Sequence, residues 1–235
     1  APGYTGVEFV QFMTTGNTSD FGDHTATRYF TGSASNSTRG LKFGGETGPA
    51  DSNVIDYCTI DTTGNFIDFG DLTQARRSHN AGAGSPTRAV VMGGQTPTSV
   101  NTIDFIEIAT TGNAVDFGDA YLAAAAAAGL SSPTRGISAG GDAPAYTNVI
   151  QYLTISTTGN TADFGDLSQV KGYPVGASSA TRGLFMTGIL SPASSNTNTI
   201  EYITITSLGN AADFGDAAVA ARHAGGTSDC RRAVV

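Results

Sequence analysis

The acidic phrase DFGD occurs five times in the chain, and its carboxylates are the residues best suited to chemistry. Its first aspartates recur every 47 to 50 residues: Asp20, Asp68, Asp116, Asp163 and Asp213. The five copies supply ten of the twenty acidic residues. Carboxylates at equivalent positions of a repeat could form a ring that binds a cation or a basic ligand. The spacing of an EF-hand loop is absent.

An arginine keeps the same register as the acidic phrase and suggests a structural role instead. It follows the first Asp of each copy by 19 or 20 residues: Arg39, Arg88, Arg135, Arg182 and Arg232. On this interpretation each arginine pairs with an Asp within or between repeats, and the second Asp caps the outgoing turn. We favour it because enzyme sites are usually assembled from asymmetric residues, and we extend it to the phenylalanines of the phrase: Phe21, Phe69, Phe117, Phe164 and Phe214.

The remaining residues match no catalytic or cofactor-binding motif well. The histidines are His24, His79 and His223, and their order indicates no Ser-His-Asp or Cys-His grouping. The Gly pairs lie between strands without a following helix or Lys, unlike a phosphate-binding loop. Cys58 and Cys230 lack metal-ligand spacing, and we interpret them as isolated half-buried thiols. We therefore expect no enzymatic activity, no cofactor and no metal site.

The period of the repeat is typical of propellers and solenoids. In one repeat, "NTIDFIEIA" (101–109) reads as a buried strand, and "TTGN" supplies Gly112 and Asn113 for a tight hairpin. "AVDFGD" alternates as an outer strand, and "RGISAGG" forms a further strand that ends in a Gly pair. Each repeat thus predicts four short strands.

The run "YLAAAAAAGL" (121–130) has the highest helix propensity in the chain. Its place in the repeat is that of "TRYFTGSAS", "RRSHNAGAG" and "VKGYPVGAS". We predict that these segments are the innermost strands, because strands that crowd a common axis need small side chains. Position in the repeat therefore outweighs propensity.

These patterns predict an all-β fold, a five-bladed β-propeller with four antiparallel strands per blade. Residues 217–235 supply two strands of a blade and residues 1–24 the other two, so pairing of "RRAVV" with "VEFVQF" is expected to close the ring and remove exposed edges. The chain is then a single domain, residues 1–235. Its blades span approximately 25–71, 72–119, 120–166, 167–216, and 217–235 joined with 1–24.

The repeated strands resemble kelch repeats over essentially the whole chain. The resemblance lies in "R-x-x-x-x-GG", "N-x-I-D-Y" and "TTGN…DFGD", although Phe replaces the usual Trp, "MTG" (186–188) replaces one Gly pair, and the last repeat stops at "RRAVV". The wording "TRG…GG…IDYITI…TTGNA.DFGDL" is similar to kelch-like repeat proteins encoded by bacteriophages of aquatic bacteria. The resemblance implies a propeller and a place in the virion, in a tail or fibre.

Charge and hydropathy exclude two classes of partner. The net charge of −8 disfavours nucleic acid, whose binding requires clustered Lys and Arg. No apolar run reaches the roughly 18 residues that span a bilayer, so no membrane insertion is expected. The first residues lack a basic and apolar leader, and a targeting segment is expected to be absent or already removed.

Residues that differ between repeats are concentrated in the loops after the Gly pairs: "ETGPADSN", "QTPTSVN", "DAPAYTN" and "ILSPASSNTN". Chain alternation places these loops on the face of the turns that follow DFGD, opposite the TTGN hairpins. Loops on a rigid scaffold commonly carry specificity. The candidate binding residues are Glu46, Asp51, Gln95, Asp142 and Tyr146.

The expected function is that of a non-enzymatic structural and binding module. Together with the resemblance, it suggests a virion component, in a tail or fibre, that mediates assembly or host attachment. Its partners would be other virion proteins or a host cell-surface glycan or protein, and its location the virion or the extracellular space. The alternative is a free lectin-like, carbohydrate-binding propeller with several related sites.

Overall fold

A computed structural model describes residues 4–11, 13–77 and 82–235, and within those ranges the regular structure is all β. The strands are β1 Gly6–Phe9, β2 Ser19–Asp23, β3 Gly32–Ser35, β4 Arg39–Phe43, β5 Val54–Thr59, β6 Ile67–Asp71, β7 Gly82–Gly84, β8 Arg88–Met92, β9 Thr102–Glu107, β10 Val115–Asp119, β11 Ala128–Ser131, β12 Arg135–Ala139, β13 Asp142–Ala143, β14 Ala145–Tyr146, β15 Val149–Thr154, β16 Ala162–Asp166, β17 Lys171–Gly172, β18 Val175–Ser178, β19 Arg182–Met186, β20 Ile189–Leu190, β21 Thr197–Thr204, β22 Ala212–Ala221, β23 Thr227–Ser228 and β24 Ala233–Val234.

Four antiparallel sheets of four strands repeat one topology. The first sheet is β3-β4-β5-β6, the second β7-β8-β9-β10, the third β11-β12-β15-β16 and the fourth β18-β19-β21-β22. The all-β class and the four-stranded antiparallel repeat are therefore confirmed. β1 pairs with β2 and β23 with β24, and within the described residues no ladder joins β24 to β1. The pairing that would close a ring stays a prediction.

The first strands of the sheets follow one another around a common cavity. β3 contacts β7, β7 contacts β11, β11 contacts β18, and β18 contacts β23. A cavity of about 860 Å³ lies among them. A Cβ atom added to Gly82 would lie 1.7 Å from the carbonyl oxygen of Ser33, and one added to Gly176 would lie 2.3 Å from that of Gly129. Small residues on these strands are thus required by close approach of the backbones.

The alanine-rich run forms no helix, although only its end is a strand. β11 begins at Ala128, and Ala125 forms an isolated bridge with Asp142. Residues 124–128 are nearly fully buried. The prediction of strand is correct for the last residues and wrong for residues 121–127. These residues form a lead-in segment, the stretch that passes from the outermost strand of one sheet to the first strand of the next and packs between the two.

A β-bulge at the phenylalanine of DFGD shapes the outer edge of each sheet. Asp104 pairs with Asp116 and Ile103 with Gly118, which leaves Phe117 as the extra residue. Its ring meets that of Phe105 edge to face at 5.7 Å between centroids. The same shift occurs in every repeat, and the phenylalanine is buried in four of them: Phe21, Phe69, Phe117 and Phe164.

The core lies between neighbouring sheets as well as within each one. Phe69 of the first sheet packs in one cluster with Leu41 and Phe43 of its own sheet and with Val91 and Ile106 of the second. Stacked sheets thus share one apolar layer, as expected for sheets that cannot bury both faces alone.

Phe117 packs in the corresponding layer between the second and third sheets, with Val90 and Leu153. We expect Phe117→Ala to lower the free energy of unfolding by about 3–5 kcal/mol, because it leaves a cavity in that layer. The control is the neighbouring Asp116→Asn, which alters an exposed side chain and should change stability by less than about 0.5 kcal/mol. Chemical denaturation of both variants measures the two effects. Equal effects would show that the bulge does not direct its phenylalanine into a packed layer.

Candidate functional site

The DFGD phrase makes backbone joints between neighbouring sheets. The Gly112 N–H donates to the Phe69 carbonyl at 2.8 Å, and the Ala114 N–H donates to the Asp71 carbonyl at 2.7 Å. The Asp71 N–H donates to Asn113 Oδ1 at 3.1 Å. We call this set of three hydrogen bonds the FGD–GN joint. It recurs between Phe21–Asp23 and residues 64–66, between Phe117–Asp119 and 159–161, and between Phe164–Asp166 and 209–211.

Glycine is required at the joint by the closeness of the two backbones. Gly70 has a φ of 144°, and a Cβ atom there would lie 2.4 Å from the Gly112 carbonyl oxygen. Corresponding contacts at three further joints are between 2.4 and 2.6 Å, at Gly22, Gly118 and Gly165. No side chain fits in that space without moving the backbone, so the phrase serves the scaffold.

The register arginines are structural, but the predicted pairing with the DFGD aspartates is wrong. Four of them stack on the aromatic ring of the third strand of their own sheet, with distances of 4.5 to 4.8 Å: Arg39, Arg88, Arg135 and Arg182. Three also reach across to a carbonyl of the next sheet, as Arg39 does to Ile108 at 2.6 Å. Among the described residues, no register arginine forms an ion pair with an Asp of DFGD.

The position of each group in the sheet explains this difference. A register arginine begins the second strand, beside the third-strand aromatic ring, whereas the first Asp of DFGD is exposed on the outermost strand. Arg88 does have an acidic partner, Glu107 at 2.6 Å. Arg232 is exposed, and its amide is held in a turn by Asp229 Oδ1 at 2.6 Å.

The second Asp also differs from its predicted capping role. In four copies of the phrase it joins a neighbouring sheet through its main chain, and the side chain of Asp23 accepts a hydrogen bond from Thr5 at 3.0 Å. The described residues contain no group of three or more His, Cys, Asp or Glu that could hold a metal ion. Of the two cysteines, Cys58 is half-buried as expected, and Cys230 is exposed.

Three buried ion pairs, which the sequence analysis missed, join a lead-in segment to the third strand of the following sheet. They are Arg28 with Asp56, Arg76 with Asp104 at 2.9 Å, and Lys171 with Glu201 at 2.5 Å. Their side chains are at most 1 % exposed. Burial lowers the pKa of Arg76, and Asp104 opposes that shift. The sequence does contain a sign of these pairs: in each of the three repeats, an Arg or Lys lies eight residues after the first Asp of DFGD.

The third sheet keeps this connection without charge. Ala124 takes the place of the cation, and Gln151 that of the acid. Gln151 accepts from the Leu122 N–H at 3.1 Å and donates to the Leu122 carbonyl at 3.0 Å. Because recurrence in several sheets and a neutral equivalent both mark a connection of the scaffold, we assign these pairs no catalytic role.

We expect Arg76→Ala to destabilise the fold by about 3–5 kcal/mol, since it leaves the Asp104 carboxylate buried without its partner. The double variant Arg76→Ala/Asp104→Gln copies the third sheet and should recover most of that loss. Chemical denaturation of both variants and of Asp104→Gln alone gives the coupling. A double variant no more stable than Arg76→Ala would contradict the equivalence of the two arrangements.

One cluster of titratable groups departs from the repeat. Lys42 lies beside the Arg28–Asp56 pair, is 9 % exposed and lines the large cavity. Burial and the charge of Arg28 lower its pKa to about 8, against the opposing effect of Asp56. Burial also lowers the pKa of His24, whose ring lies 4.4 Å from that of Phe66.

The predicted binding residues lie on one face, in two groups. Glu46, Asp51 and Gln95 surround Arg77, which forms an ion pair with Glu46, lies 3.8 Å from Asp51 and donates to Gln95 at 3.5 Å. Asp142 is bridged to Ala125, and its carbonyl accepts from Ser99 Oγ at 2.7 Å. Tyr146 follows on the paired strands β13 and β14. The loops and the turns after DFGD therefore share a face, as chain alternation predicted.

A second feature of this face is a set of strained residues around the first strands. Phe30, Ala126, Tyr173 and His223 occupy equivalent positions of four lead-in segments, with φ of 54° or 55°. Left-handed backbone is rare for bulky residues and is often found at functional sites. The four residues line a cavity of about 290 Å³, and we call this cavity the axial mouth. His79 lies outside the described residues.

The axial mouth is rich in aromatic side chains. The rings of Tyr173 and His223 are 4.1 Å apart at 48°, and Tyr146 lies 6.2 Å from Tyr173 at 83°. Burial raises the pKa of Tyr173, with contributions from Tyr146 and Asp142 and opposition from Arg222. The structure therefore brings Tyr146 next to Tyr173, and Tyr173 next to His223, two residues that were not among the predicted binding residues. In the sequence, these residues stand out as aromatic side chains within lead-in segments that otherwise contain mostly small residues.

The chain matches no protein-family model, and no curated protein shows significant similarity to it. Within the described residues, no helix has the length and apolar character needed to cross a bilayer.

Proposed function

We propose that the chain forms a five-bladed β-propeller. Four sheets of identical order, first strands in succession around one cavity, and the recurrent FGD–GN joint support this arrangement. β23 continues the series of first strands by contacting β18, while β2 makes the joint with the first sheet through Gly22. In this proposal β23, β24, β1 and β2 together form the fifth blade, with β24 paired to β1.

The propeller acts as a non-enzymatic binding module, with the axial mouth as its binding site. One observation carries this proposal: a single strained backbone position bears Phe30, Ala126, Tyr173 and His223 in different repeats, whereas the joints keep the same residues. A strained backbone conformation that is kept while its side chain changes favours a role in ligand recognition over a role in packing.

A glycan is the ligand class that suits the axial mouth. Tyr146 and Tyr173 offer aromatic faces with polar tips, so they can pack against the C–H face of a sugar ring and bond its hydroxyl groups. Asp142 and Arg222, whose charges act on Tyr173, supply further hydrogen-bonding groups. Host-surface attachment from a virion tail or fibre is the context that the phage-type resemblance favours, with other virion proteins as assembly partners.

The alternative, a free lectin-like propeller with several related sites, requires equivalent residues in equivalent loops. The bridged loop position holds Glu46, Gln95, Asp142 and Ile189 in successive repeats. Because these side chains differ in charge and polarity, the loop face favours one composite site over several similar ones.

We expect the full chain to bind glycans on an array, and Tyr173→Ala to weaken that binding about tenfold or more, which corresponds to about 1.4 kcal/mol. The control is Tyr121→Ala, which removes an exposed tyrosine outside the mouth and should bind normally. Thermal melts establish that both variants remain folded. An array without bound glycans, or equal binding by both variants, would contradict the proposal.

A further inference from the structure

The four FGD–GN joints define which atoms must meet when one sheet docks on the next. In each, the Gly N–H of a TTGN or SLGN turn donates to the carbonyl of the DFGD phenylalanine, at 2.7 or 2.8 Å. The Asn side chain of the turn accepts from the N–H of the second Asp, between 2.9 and 3.1 Å. The DFGD phenylalanine of each of these four joints is at most 8 % exposed.

The outermost strand β22 carries the fifth copy of DFGD, but among the described residues no turn is docked on it. Gly215 has a φ of 133°, similar to the glycines at the joined edges, yet a Cβ atom there would meet no atom of the described residues within 4 Å. Phe214 is 52 % exposed, in contrast to the buried phenylalanines of the four joints. Val219 on the same strand is 72 % exposed. An outermost strand with exposed apolar side chains is an edge that requires a partner.

A fifth turn is present as well, between β1 and β2. Residues 14–17 read TTGN, the sequence that docks at three of the formed joints. Within the described part of the chain, a Cβ atom added to Gly16 meets nothing within 4 Å, and no hydrogen bond joins Gly16 or Asn17 to β22. The edge and the turn thus carry complementary halves of the same joint.

We propose that residues 14–17 dock on the β22 edge of the same chain and form a fifth FGD–GN joint. The Gly16 N–H donates to the Phe214 carbonyl, and Asn17 Oδ1 accepts from the Asp216 N–H. The Thr18 N–H donates to the Asp216 carbonyl. Docking covers Phe214, as the other four joints cover their phenylalanines.

The same chain is the favoured source of the turn, because β2 already makes a joint with the first sheet and β23 contacts β18 of the fourth. Both ends of the series of sheets are therefore held by one chain. The inference rests on the five-bladed arrangement proposed above and is independent of what the axial mouth binds.

Cysteine cross-linking tests the joint in the full-length chain, with Cys58→Ala and Cys230→Ala as background. Asn17→Cys/Asp216→Cys should form an intramolecular disulfide with the same yield as Asn113→Cys/Asp71→Cys, the equivalent pair at a formed joint. Asn17→Cys/Asp71→Cys, which combines halves of different joints, is the negative control. Non-reducing electrophoresis and mass spectrometry identify the products.

Two results would overturn the inference. Cross-linked dimers would assign the turn to a second copy of the chain, and a yield no higher than that of the negative control would show that the joint does not form. Glycan binding that persists in either case would leave the proposed binding function standing. A second measurement avoids cysteines: Asn17→Ala should lower the Tm as much as Asn113→Ala, and an unchanged Tm would count against docking.

Discussion

The close approach of two backbones at the FGD–GN joint is the constraint on which the rest of the structure depends. A bulge places the phenylalanine in the layer between sheets, and the glycine after it lets the next turn come within hydrogen-bond distance of the strand. Two hydrogen bonds between main chains and one from the Asp N–H to the Asn side chain then fix the spacing of neighbouring sheets. When this spacing repeats from sheet to sheet, the first strands come close together. Their backbones then leave space only for small side chains.

Much of the scaffold could be predicted from the sequence, because each element carries its own local signal. The period, the Gly-Asn turns and the alternation around DFGD indicated four strands per repeat, and the position of the alanine run outweighed its helix propensity. The arginine partners could not be predicted, since a register arginine meets an aromatic ring through a cross-strand pairing that sequence order does not show. The buried ion pairs have the same cause, as their members lie about 30 residues apart and meet only after the sheets pack.

The candidate site was harder to predict than the scaffold for a related reason. Glu46, Asp51 and Gln95 were selected because they vary, yet Arg77 engages all three. Tyr173 and His223 were not selected because they lie in segments of small residues near the first strands. A side chain there is expected to fill space in the core. Their left-handed backbone turns them toward the mouth, and backbone conformation of non-glycine residues has no reliable signal in sequence. Repeated residues thus identify the scaffold, whereas the candidate site lies where the repeats differ.

Native-state hydrogen exchange at the turn glycines tests the central role of the joint most directly. If the joints hold the sheets together, the amides of Gly64, Gly112, Gly159 and Gly209 will exchange only through global unfolding, with one common free energy that equals the stability measured by denaturation. Exchange of these amides at the rate of exposed loops, while the central strands stay protected, would contradict the account and show that the sheets are held by side-chain packing alone.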